Sequence, residues 1–113
     1  MVNFDNFLDD FLARYPDVDG AMITDDKGTP IASLFIDEEQ ATILSGLAAA
    51  MISTSEWIVT ELDEDIPDDI MLRLEHAYVQ IVRMKKDKVL IAIMKKDIKL
   101  SVFFNSFTRN FFL

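Results

Sequence analysis

The stretch Asp37-Glu38-Glu39-Gln40-Ala41-Thr42-Ile43-Leu44-Ser45-Gly46-Leu47-Ala48-Ala49-Ala50-Met51-Ile52-Ser53-Thr54-Ser55 carries no charge after Glu39, and its reading decides the fold. Asp37 is placed to accept from orphan amides at a helix N-terminus, Gln40 to complete a capping box, and the two glutamates suit the helix dipole. The helix is predicted to run to about Leu62, before the acidic, proline-bearing loop Asp63 to Asp69. Projected at helical spacing, Leu44, Leu47, Met51, Ile58 and Leu62 form one stripe, expected to cover a sheet. Ala41, Ser45, Ala48, Ala49 and Ile52 form a second stripe of mostly small residues, and Ile43, Ala50 and Trp57 a third apolar side. A helix apolar nearly all round is buried nearly all round, which one sheet cannot achieve. Either another helix of the chain covers the small stripe or a second copy does. The self-complementary patch favours the second copy across a two-fold axis, with Ala41, Leu44, Ser45, Ala48, Ala49, Ile52 and Glu56 at the interface. On that reading Ala48→Glu gives monomers or insoluble protein.

Upstream, Phe4, Phe7, Leu8, Phe11 and Leu12 follow helical spacing, so residues 3–15 are predicted helical, ended by Pro16. Val18 to Thr24 and Ile31 to Ile36 are β-branched, apolar runs flanking Asp25-Asp26-Lys27-Gly28-Thr29-Pro30, a predicted hairpin with Pro30 at a strand start or edge. Downstream, Ile70 to Glu75, Tyr78 to Met84 and Val89 to Met94 read as a three-stranded meander. Asp97 is placed to cap a closing helix carrying Leu100, Phe103, Phe104, Phe107 and Phe111 on one side. The predicted order is α-β-β-α-β-β-β-α in one α+β domain, residues 1–113, with helices on a five-stranded antiparallel sheet.

The 113 residues are half apolar, with 11 basic and 20 acidic side chains, one histidine and no cysteine. Disulfides, thiolate metal sites and thiol catalysis are excluded, and a multi-histidine metal centre has no second ligand. No phosphate-binding glycine motif is present. No cofactor, metal or catalytic residue is expected, and the chain is read as a non-enzyme. The N-terminal sequence lacks the features of a secretory signal, so a cytoplasmic location without membrane insertion is expected.

Charge is segregated: residues 1–72 hold 17 acids against Arg14 and Lys27, whereas residues 73–113 hold nine bases against three acids. Arg83, Lys85, Lys86 and Lys88, with Lys95, Lys96 and Lys99 beyond them, suggest a basic rim that, with Trp57, forms a candidate partner surface. An anionic lipid or acidic protein surface suits it better than nucleic acid, since no aromatics interleave with the bases; lysines guarding a strand edge are the plainer explanation. His76 is expected to be an ordinary turn histidine, and the acidic Glu61 to Asp69 segment lacks the ligand spacing of an EF-hand loop.

The stretch Gly20-Ala21-Met22-Ile23-Thr24-Asp25-Asp26-Lys27-Gly28-Thr29-Pro30-Ile31-Ala32-Ser33 strongly resembles the first hairpin of the Roadblock/LC7 family. The uncharged Ala-rich helix, the meander and the closing helix match that family's element order. The resemblance implies a homodimer whose central helices pair and whose third strands, here Ile70 to Glu75, join two sheets into one of ten strands. Met71, Arg73 and Glu75 thereby enter the expected interface. It also implies assembly with small Ras-like GTPases. The glycine-free turn at Lys85 to Lys88 and the phenylalanine-rich closing helix depart from the family pattern, and the short loops look MglB-like. The function so implied is a non-catalytic dimeric platform that modulates a GTPase's nucleotide cycle. The alternatives are a purely structural adaptor and a small-molecule sensor of profilin-like fold, although no convergent polar cluster lines a cavity in the sequence.

Overall fold

Helix α1 (Phe4–Arg14) begins where the Asn3 side chain accepts the Asn6 N–H at 3.1 Å and ends where the Tyr15 N–H reaches the Phe11 carbonyl at 3.0 Å. These contacts belong to a computed structural model that describes residues 3–95. The predicted closing helix from Asp97 lies outside the described residues. Strands β1 (Val18–Asp25) and β2 (Pro30–Leu34) form the predicted hairpin, with the register shifting so that Pro30 stands opposite Thr24. Helix α2 (Glu38–Glu61) starts at Asp37, whose carboxylate accepts the Gln40 N–H at 2.8 Å, as the sequence implies. The meander is β3 (Asp69–Arg73), β4 (Ala77–Arg83) and β5 (Lys88–Lys95).

The strands form one antiparallel sheet in the order β2-β1-β5-β4-β3, so the fold is α+β with β2 and β3 at the two edges. Leu8 and Phe11 of α1, with Tyr15 at its end, pack with Ala21, Ile23, Leu90 and Met94 on one face. Ala41, Ala48 and Ile52 of α2 pack with Met22, Ile81, Val89 and Ile91 on the other. Each large side chain so buried contributes about 1.5–3 kcal/mol.

Two expectations are corrected here. The stripes of α2 exchange places: the small residues Ala41, Ser45, Ala48 and Ile52 lie buried beneath the chain's own sheet. Leu47, Ile58 and Leu62, expected to cover the sheet, are exposed. The reason is steric. The sheet face already supplies Met22, Ile81 and Ile91, so the helix resting on it needs little bulk. The second correction concerns strand ends. β2 stops at Leu34, because Phe35 takes a left-handed φ of 61° and turns the chain toward α2. β3 stops at Arg73, leaving Glu75 in the following turn.

Candidate functional site

The outward side of α2 is the largest unpartnered apolar feature among the described residues. Ile43, Leu47, Ala50, Thr54 and Trp57 recur at spacings of four and three, which lines them up along one side of a helix, with Ile58 beside them. Trp57 is 77% exposed, Leu47 57%, Ile58 56% and Ile43 55%. The threonine hydroxyls on this helix make no demand on a neighbour. Thr54 donates to the Ala50 carbonyl at 2.9 Å, Thr42 to Glu38 at 3.1 Å and Thr60 to Glu56 at 2.8 Å. Such bonds to the preceding turn satisfy each O–H within the helix.

Half-buried Leu44 and Met51 pack on the same cluster as Ile70 and Val79, and beyond Ile70 the strand alternation places Leu72 and exposed Leu74 on that face. Met71 points the other way, into the α1-side core, and Arg73 is exposed. Gln80, fully buried on β4, donates to the Asp69 carboxylate. Burial of Asp69 and the nearby Asp68 charge raise its pKa above the ordinary aspartate range, and the Gln80 hydrogen bond opposes them.

Of the residues expected at a dimer interface, Ala41, Ser45, Ala48 and Ile52 are therefore internal, and Ala49 sits half-buried near the Gly28 turn. Leu44 is half-buried at the margin of the apolar side, whereas Met71 faces the α1-side core, Arg73 is exposed on β3 and Glu75 lies in the turn beyond it. Glu56 instead lines a recess of about 120 Å³ with Asp26, Arg83, Asp87 and Lys88.

The candidate basic surface is divided by the same geometry. Arg83 donates to the Pro67 carbonyl at 3.4 Å and Lys88 to the Lys86 carbonyl at 3.3 Å, with Asp26 and Asp87 between them, so the charge there is mixed. Trp57 belongs to the outward apolar stripe, about 100° around the helix from Glu56. His76 is exposed in its turn, 3.6 Å from Glu75. Among the described residues no group of three or more His, Asp or Glu side chains is arranged to hold a metal ion.

Sequence reasoning missed Phe35 as a surface residue. Alternation from Ile31 to Ile36 reads as unbroken strand, and no residue type there signals the left-handed turn.

The Roadblock/LC7 domain family model matches residues 4–95. The chain belongs to the Roadblock/LC7 family. No curated protein sequence matches it. Solved structures share the fold at low identity. The Roadblock/LC7 domain from Streptomyces avermitilis superposes with a TM-score of 0.82 at 14% identity, over 89% of this chain and 85% of that one. Myxococcus xanthus MglB gives 0.72 at 15%, over 80% and 75%. The gliding protein MglB from Thermus thermophilus gives 0.75 at 15%, over 86% and 74%. Within this Roadblock/LC7 domain, α2 is a 24-residue helix long and apolar enough, by length and composition, to cross a membrane. One of its stripes is nonetheless packed on the sheet.

Proposed function

We propose that this Roadblock/LC7 chain acts as a homodimeric, non-catalytic platform in the cytoplasm that binds a small Ras-like GTPase and modulates its nucleotide cycle. The observation that carries the reading is the outward side of α2, with Ile43, Leu47, Trp57 and Ile58 all more than half exposed. Covering four such side chains releases about 1.5–3 kcal/mol each, before the cost of association. Two antiparallel α2 helices centred on Ala50 bring Ile43 against Trp57 and Leu47 against Ser53 and its neighbour Thr54 of the second copy. Pairing of two β3 strands centred on Met71 sets Asp69 opposite Arg73 in both directions and extends the sheet to ten strands. Opposite charges directly across an antiparallel pair are favourable.

The GTPase is supported by the family resemblance and by the MglB-like fold. The chain offers no phosphate-binding loop, so the catalytic atoms belong to the partner. A platform that orders a GTPase's own water-positioning and charge-stabilising groups accelerates hydrolysis by positioning alone. The test is single-turnover GTP hydrolysis by Ras-like GTPases of the same genome, with and without the protein. A changed rate supports the modulator. Binding with an unchanged rate favours the structural adaptor, and no binding removes the GTPase from the reading.

A further inference from the structure

Strand β2 and the residue that ends it form a second surface, on the edge of the sheet opposite β3. Among the described residues β2 is hydrogen-bonded to β1 on one side and to no strand on the other. Folded proteins usually protect such an edge with charged residues, because its free N–H and C=O groups accept any passing strand. Here no charged residue occurs from Gly28 to Ile36, and Pro30 blocks only the first position. The β3 edge, by contrast, starts at Asp69 and ends at Arg73.

The side chains fit the same reading. Ala32 and Leu34 pack into the α1-side core, which leaves Ile31 and Ser33 on the α2 side, with Phe35 just past the end of the strand. Ile31 is 42% exposed on that face, and Phe35 at the strand's end 78%. A left-handed backbone costs a residue with a Cβ roughly 1–2 kcal/mol. Phe35 carries that cost while leaving its ring in water, and Gly20 is shaped to it: a methyl group on Gly20 would lie 3.0 Å from the Phe35 carbonyl oxygen.

Charge selects the occupant. Residues 3–41 contain ten acids against Arg14 and Lys27. Asp5, Asp9 and Asp10 are exposed on α1, which packs along β2, and Asp37, Glu38 and Glu39 follow Phe35. A second copy would bring the same acids, so self-pairing through β2 is opposed. We propose that the β2 edge receives an added strand from a different, basic polypeptide, whose alternate apolar side chains seat against Ile31 and Phe35. Strand addition draws affinity from main-chain hydrogen bonds and specificity from alternate side chains. The outer side of α2 takes no part, so this proposal and the dimer stand or fall separately.

The test titrates the full-length, ¹⁵N-labelled protein with a blocked decapeptide alternating lysine and valine, and with its glutamate–valine counterpart. The expected result is amide shift changes centred on β2 for the basic peptide, weakened at high salt, and no binding of the acidic one. Phe35→Gly is expected to weaken binding by about tenfold or more while leaving the protein folded, since glycine relieves the φ of 61°. Ile31→Thr is expected to weaken it less. Equal binding of the two peptides, no binding of either, shifts centred on α2 or β3, or unchanged binding by Phe35→Gly would each overturn the proposal.

Discussion

A methyl group placed on Gly28 would lie 3.1 Å from the Cα of Gly46, whereas one placed on Gly46 meets nothing within 4 Å. The β1–β2 turn presses bare backbone against α2, and it does so with Gly28 at a φ of 90°. Gly28→Ala therefore combines a steric conflict with a disfavoured backbone and is expected to cost about 1–3 kcal/mol. Gly46→Ala is expected to gain about 1 kcal/mol from helix propensity. Denaturant unfolding at one protein concentration measures both, and shifts of the same sign would contradict the contact.

The exchange of stripes on α2 separates two neighbouring substitutions. Leu47→Glu places a charge on the exposed side and is expected to yield a folded monomer by light scattering and circular dichroism. Ala48→Glu places it under the sheet at a site 2% exposed, and is expected to unfold the chain, since an unpaired buried charge costs several kcal/mol. A dimeric Leu47→Glu would remove the α2 face from the interface.

The proposed β3 pairing has a charge-reversal signature. Arg73→Asp and Asp69→Arg each set like charges across the strand pair and are expected to weaken the dimer by about three- to tenfold. The double exchange restores it. Dissociation constants from analytical ultracentrifugation decide this, and a double variant no better than the singles would exclude that register.

The β4–β5 turn places two side-chain-bearing residues in the left-handed region, Lys86 at a φ of 60° and Asp87 at 61°, closed by the Met84 N–H on the Lys88 carbonyl at 2.8 Å. Tight hairpin turns of this hand favour asparagine followed by glycine. Lys86→Asn with Asp87→Gly is expected to stabilise the protein by about 1–2 kcal/mol, raising its Tm in a thermal melt. An unchanged Tm would mean the turn bears no strain.

Asp25 holds the first hairpin turn: its carboxylate accepts the Thr29 N–H at 2.8 Å and the Lys27 N–H at 3.0 Å. The Thr29 bond is the main reason its pKa lies below the ordinary 3.8. Partial desolvation opposes the shift, and the Lys27 bond with the Lys88 and Lys27 charges assists it. A depressed carboxylate stabilises the folded state above its unfolded pKa and ceases to do so as pH falls through the folded value. Asp25→Ala is accordingly expected to lower stability by a constant amount from neutrality to about pH 5, with the difference closing below 3.8. Unfolding midpoints across that range supply the check.

Features governed by local rules were legible in the sequence. Asp37 and Pro16 mark helix ends through capping and proline chemistry, and the Asp25 to Pro30 turn follows from its residue types. Periodicity could not orient α2, because apolar residues on every side leave no polar face to mark water. Residue size then pointed the wrong way: Ala48 is small because it lies against a sheet, not because a second backbone approaches. Phe35 was unreadable for another reason. Its left-handed backbone lies against Gly20 across the hairpin, a contact between residues 15 apart in sequence that no local pattern encodes.

The return of each threonine hydroxyl on α2 to its own helix has a thermal consequence. A contact made through such a side has almost no polar bonds to exchange, so its free energy is dominated by released water, which drives association less strongly in the cold. In the proposed dimer, chilling therefore shifts the balance toward single chains, an inversion of the usual rule that cooling preserves an assembly.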